Sequence, residues 1–329
     1  MTEPSDEPAD RMRERSGRHT AVLYLLLDVD RRLVASGILA FVFLGIVAAA
    51  FVFPNASGAL RSGDPVETAF QAFIGATVTG VTVVLTLNQL VLSQELGAVG
   101  DQRERMDGAM SFRDDVADLL GETPPAEPSA FLRAMVEETA ERADTARSSD
   151  PPDDLEEMLE STVRNAEAVV GRLEGATFGE FDVVRSALDF NYSWKLYVAQ
   201  RALEDVPAET QAPLEDLIEA LRLFGPAREH FKTLYFQAEL IDLSRTVTYT
   251  AVPSLIVSVA VLLFVDLDTY AGSVAGVDAG VLLISAAVAV SVAPFAVLLS
   301  YVLRIATVTG RTLSIGPFIL RETDRDTDR

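Results

Sequence analysis

The sequence predicts an all-α integral membrane protein with four transmembrane helices and a cytosolic helical domain between spans two and three. Three observations predict it. Four uncharged, apolar runs are each about 20 residues long, enough for a helix to cross a bilayer. Residues 97–245 contain no such run, but repeat helical patterns between Pro and Gly residues. The 329 residues are 49% hydrophobic and still carry a net charge of −22, which places the apolar residues in spans and the acids outside them.

Residues 1–19, MTEPSDEPADRMRERSGRH, are polar and rich in Pro, Ser and Arg, and read as a disordered tail. Their long polar lead, with no small-residue cleavage site after the first apolar run, is not that of a signal peptide. Residues 20–96 hold a short surface helix and the first two spans. In AVLYLLLDVDRR, Leu23, Leu26 and Leu27 share a face, as in a helix lying on the membrane or packing on the cytosolic domain. The first span is Val34–Phe53, closed by Pro54 and Asn55. After the loop PNASGALRSGDPVET comes the second span, Phe70–Leu92, with Glu95 marking its exit to water.

The second span holds the most informative pattern. Gly75, Thr79, Thr82, Thr86, Gln89 and Ser93 follow at spacings of 4, 3, 4, 3 and 4, which puts all six on one helical face. Lipid offers hydroxyls and amides no partner, so such a face is expected to meet protein or water. In an oligomer the stripe would line a pore, with Asn88, Gln94 and Glu95 at its cytosolic mouth. Within one subunit the same residues would form a close-packing face, for example against the fourth span. Glu95 reads equally as a solvated helix-end residue.

The cytosolic domain, residues 97–245, is expected to be helical over Val99–Leu120, Ser129–Arg147, Asp153–Leu173, Phe181–Asp205 and Gln211–Phe224. A last helix would run from Pro226 towards the membrane. Pro151 and Pro152 ahead of Asp153, Asp154 and Glu156 are a helix start, as is Pro226 ahead of Glu229. FNYSWKLY, at Phe190–Tyr197, holds the single Trp and reads as the domain's packed core or as a membrane-docking cluster. His19 and His230 are isolated, so no metal or other cofactor is expected.

Residues 246–305 hold the third span, Val247–Val265, and the fourth, Gly280 to Leu303 with a kink at Pro294. The loop between them carries Asp266, Asp268 and Asp278, read either as hydrated surface or as a cation-attracting patch. Ala286, Ala289, Ala293, Ala296 and Ser300 recur at 3, 4, 3 and 4, a face that allows close helix approach. Residues 306–329 form a cytosolic C-terminal tail. Arg31, Arg32, Arg103, Arg105, Arg245, Arg304 and Arg311 flank the spans on one side and Arg61 alone on the other. The positive-inside bias therefore orients both termini and the large domain to the cytoplasm of a cell membrane.

Cys is absent, which removes disulfides, thiolate metal sites and cysteine nucleophiles. No phosphate loop, dinucleotide glycine pattern, HExxH, GxSxG or kinase signature occurs, so no enzyme is expected. No basic patch points to nucleic acid. The expected partners are the bilayer, further copies of the chain and, if the chain is a scaffold or sensor, a cytosolic protein. Two function classes remain open, an oligomeric ion-conducting pore and that membrane-anchored scaffold.

Abundant Asp and Glu, with Lys195 and Lys232 the only lysines, resemble the composition of halophilic archaeal proteins, including their four-span membrane proteins. Two spans, a sizeable cytosolic helical domain and two more spans resemble the bestrophin-like arrangement. That resemblance implies a pentameric anion channel lined by the second span. Where bestrophins carry an aromatic and isoleucine neck on that helix, this chain has TVTGVTVVLTLNQL, and no family residue transfers to a position here.

Overall fold

A computed structural model describes residues 29–53, 55–62, 64–175 and 181–309. The expected tail 1–19, most of the surface helix and the chain beyond Thr309 lie outside these residues. The chain divides into two compact units, one containing Gly97–Phe236 and the other residues 29–96 with Gln237–Thr307.

The second unit holds the apolar helices. Helix α1 (Arg31–Val52) starts at Asp30, whose side chain caps it by accepting from the Arg32 N–H at 2.7 Å. A short helix, α2 (Ala56–Arg61), follows, then α3 (Asp64–Glu95), which has Asp64 and Glu67 in its first turn to complement the helix dipole.

Two apolar clusters join the long helices of this unit. One contains Ala35, Val84, Leu243, Val247, Ala296, Val297 and Tyr301, and the other Phe70, Val261, Leu267, Ile284 and Ala287. Between them along the helices lies a buried hydroxyl layer. Ser254 donates to the Ser291 carbonyl at 2.7 Å, Ser258 and Ser291 share a bond of 2.9 Å, and Thr77 lies 3.4 Å from Ser254.

The layer sits at a break. Helices α10 (Ala279–Ser291) and α11 (Ala293–Thr309) meet at Val292 with a bend of 48°. Pro294 cannot donate a backbone hydrogen bond, which explains the kink expected there. The N–H groups of Phe295 and Ala296 both turn to the Val292 carbonyl, and the Ser291 carbonyl is taken up by Ser254. The break also divides the alanine face. Ala296 and Ser300 are buried, Ala289 and Ala293 half-buried, and Ala286 exposed.

Helices α1 and α3, and one further helix described below, are long and apolar enough to cross a membrane. The bent pair α10–α11 adds a fourth crossing if it counts as one span. The acidic loop before α10 forms a 3-10 turn, Leu267–Thr269, and a two-residue hairpin pairing Ser273 with Asp278 and Val274 with Val277. Ala275 and Gly276 both take positive φ in its turn, the type I′ geometry that suits a right-twisted hairpin.

The first unit is a helical bundle of α4 (Val99–Leu120), α5 (Pro128–Arg147), α6 (Asp153–Leu173), α7 (Phe181–Leu188) and α8 (Tyr192–Ala202), close to the expected positions. The start of α9 (Ala208–Phe264) completes it. Two expectations need correction. Phe181–Asp205 is two helices, because Asp189–Asn191 form a tight turn in which the Asn165 amide donates to the Asp189 carbonyl at 3.1 Å.

Conversely, the segments expected as Gln211–Phe224, a helix from Pro226 and the third span are one helix, α9, of 57 residues. Proline usually expels the preceding residue from the helical region by clashing with its Cβ. Gly225 has none, so the helix passes through Pro226. A Cβ at Gly225 would also lie 2.8 Å from the Tyr192 ring.

Phe190 and Tyr192 are buried with Phe224 in this unit's core and Trp194 packs against it, so FNYSWKLY is core. His230 is exposed.

Candidate functional site

The stripe on α3 is a real face of a real helix, and it points away from the rest of its own chain. Gly75, Thr79, Thr82, Thr86, Gln89 and Ser93 are all exposed. The opposite face supplies the packing, with Phe70, Thr77 and Val84 buried. A methyl group added at Gly75 would meet nothing within 4 Å, whereas one at Gly80 would touch Phe295 at 3.4 Å. Packing of the stripe against the fourth span is therefore not what the chain does. Ser285 and Ser300 bond to carbonyls of their own helices, and Ser291 serves the third span.

The hydroxyls of the stripe are satisfied locally. Thr79, Thr82 and Thr86 each donate to the carbonyl four residues earlier at 2.9 Å, and Ser93 donates to Leu90 at 2.7 Å. Back-bonding of this kind lowers the cost of facing lipid and leaves the hydroxyl lone pairs turned outward. Gln89 differs, because its exposed amide brings two donors and an acceptor to the surface of an apolar helix. Of the expected mouth, Asn88 is half-buried, and the side chains of Gln94 and Glu95 lie outside those described.

Sequence spacing missed the polar residues that do pack inside the subunit. Thr77, Ser254, Ser258 and Ser291 are all buried. Each stands alone among apolar neighbours in its own span, so no single helix displays a pattern. Only the pairing of three helices brings them together.

The acidic loop is held by structural contacts. Arg61 donates to Asp278 at 2.9 Å and lies 3.9 Å from Asp268. Asp278 also caps α10, accepting from the N–H groups of Gly280 at 2.9 Å and Val281 at 3.3 Å. Asp266 accepts from the Asp268 N–H at 3.0 Å. Among the described residues, no group of three His, Asp or Glu is arranged to hold a metal ion.

The hydrogen bond from Arg61, together with those from the capping amides, holds the Asp278 carboxyl below its ordinary pKa. A depressed folded pKa stabilises the protein above the unfolded value of about 3.9, and that contribution fades as pH falls through the lower folded value. Asp278→Asn keeps the cap and loses the charge. It is expected to cost about 0.5–1 kcal/mol at neutral pH, as for a part-exposed pair. Unfolding curves of the variant and the parent should converge below about pH 4.

Over residues 1–329 the chain matches DUF7972, a family of unknown function. No curated protein and no solved structure matches it. The bestrophin-like and haloarchaeal likenesses accordingly rest on architecture and composition.

Proposed function

We propose that this chain, which belongs to the DUF7972 family, is an oligomeric four-span protein of the cell membrane whose second spans together line an ion-conducting pore. In this reading α1, α3, the later part of α9 and the bent α10–α11 pair are the four spans. Both termini and the α4–α8 bundle are cytoplasmic, following the arginine bias.

The observation that carries the reading is the outward stripe on α3. The chain has packed the apolar side of this helix against itself and left Gly75, the threonines and Gln89 uncovered. Hydrocarbon is a poor environment for Gln89, since an unpaired amide there costs several kcal/mol. Copies arranged about an axis would bring the six residues to water, with hydroxyl lone pairs lining the path.

The second reading, a membrane-anchored scaffold or sensor, is favoured by a different observation. The first half of α4 is exposed on every side, as a docking element would be.

Ion flux into liposomes carrying the full chain separates the two. Thr82→Phe and Thr86→Phe place rings on an uncovered face, so neither disturbs packing within the subunit. Each is expected to abolish flux while the folded protein and its oligomeric mass persist. A parent protein that passes no ion, or that is monomeric in detergent, would overturn the pore and leave the scaffold.

A further inference from the structure

We propose that the first half of α4, Val99–Ser111, docks against the same segment of a second copy of this chain. The inference rests on the oligomeric reading above and names a contact that reading does not.

Every residue from Val99 to Ser111 is exposed. The rest of α4 is anchored. Val116 and Leu119 are buried, the Phe112 ring lies 6.3 Å from Phe131, and Arg113 donates to the carbonyls of Pro124 at 2.7 Å and Pro125 at 3.2 Å. The free half thus extends from a fixed base. A single helix of that length is marginal in water, and Gly100 and Gly108 weaken it further, each by about 1 kcal/mol relative to Ala. Packing within the chain does not require those glycines, for a Cβ at either would meet nothing within 4 Å.

The free half carries an apolar seam. At about 100° per residue, Val99, Met106 and Met110 fall within a narrow arc of about 40°. They are exposed by 87%, 62% and 50%. Arg103 and Asp107, 3.6 Å apart, flank the seam on one side and Arg105 flanks it on the other. Copies related by rotation about one axis set the first flank of each helix against the second flank of the next. Asp107 then meets Arg105 of the neighbour at nearly the same height, and opposite charges face each other.

Local charge singles out this segment. In a chain of net −22, residues 99–113 balance Asp101, Glu104 and Asp107 with Arg103, Arg105 and Arg113. Helix α6, by contrast, sets Asp153, Asp154, Glu156, Glu157, Glu160 and Glu167 against Arg164 and Arg172, so two copies of it would repel. A membrane surface suits the seam less well, because an interfacial helix buries a broad apolar face and this arc has charge on both edges.

The chain has no native Cys, so single-cysteine variants of the full protein in liposomes can be linked with a short bismaleimide. Met106→Cys is expected to give cross-linked copies. Gly108→Cys, on the opposite face, should not. Adding Arg105→Asp to Met106→Cys should lower the yield, and Asp107→Arg in the same chain should restore it. Equal yields on the two faces, or no link at Met106, would overturn the inference. So would shielding of the Met106→Cys thiol by vesicles with no link between chains, which would assign the seam to lipid. Thr86→Cys tested alongside separates the two proposals. A link at Thr86 without one at Met106 removes this contact and keeps the pore, and a link at Met106 alone does the reverse.

Discussion

Replacing Glu239 with alanine is expected to lower the stability of the full chain by about 3 kcal/mol, the lower end of the range for removing one partner of a buried ion pair. Glu239 lies in α9 with its side chain 5% exposed, and it pairs with Arg31 at the start of α1. The Arg31 guanidinium also lies 4.8 Å above the ring of Tyr301 in α11, and Arg304 of the same helix donates to the Val29 carbonyl at 2.6 Å. One charged cluster therefore ties three helices of the membrane unit together. Removing Glu239 leaves a cation in an apolar setting. Because Arg31 keeps 24% of its side chain exposed and retains the tyrosine face, the loss should stay below the 5 kcal/mol extreme. Denaturant unfolding in detergent reads the loss, and Arg31→Ala with Glu239→Ala should cost less than the sum of the single changes. Additive costs would mean that the two groups do not stabilise one another.

The sequence made much of this framework legible and left that cluster hidden, for a physical reason. Spans and helices are local patterns of 20 residues or so, and α4, α5 and α6 appear within a residue of where periodicity and capping put them. Arg31 was readable as a topological charge, and Glu239 only as one acid among many in a chain holding 49 of them. Their partnership depends on how α1 and α9 pack, which no local pattern records. The stripe on α3 was legible as a face, since helical spacing fixes which residues share one. Whether that face turned inward was not, because the hydroxyls that fill the subunit interior, Thr77, Ser254, Ser258 and Ser291, are scattered over three helices. Gly225–Pro226 misled in the opposite direction. The pair reads as a helix boundary, and the missing Cβ that makes glycine a breaker is what allows α9 to continue through the proline.

The continuity of α9 at that point gives the other large expected effect, because the core of the helical bundle closes on the residue just before it. Phe224 is fully buried, edge-to-face with Phe190 at 5.0 Å and with Tyr192 at 5.9 Å. Tyr192 in turn carries the Arg228 guanidinium 4.5 Å above its ring and occupies the space that a side chain at Gly225 would need. Phe224→Ala removes the ring that both aromatics pack on. It is expected to destabilise the bundle by about 3–5 kcal/mol, the transfer cost of the ring plus the cavity left behind. Collapse into that cavity is resisted on two sides. Gly225 and Pro226 fix the backbone of α9, and the Asp189–Asn191 turn, held by Asn165, fixes Phe190. Phe224→Leu keeps much of the volume and should lose markedly less. Unfolding followed by the fluorescence of Trp194, the single tryptophan and a residue packed against this core, reports the change directly. A loss below about 1 kcal/mol for the alanine variant would show that α7, α8 and α9 are not locked on this aromatic cluster.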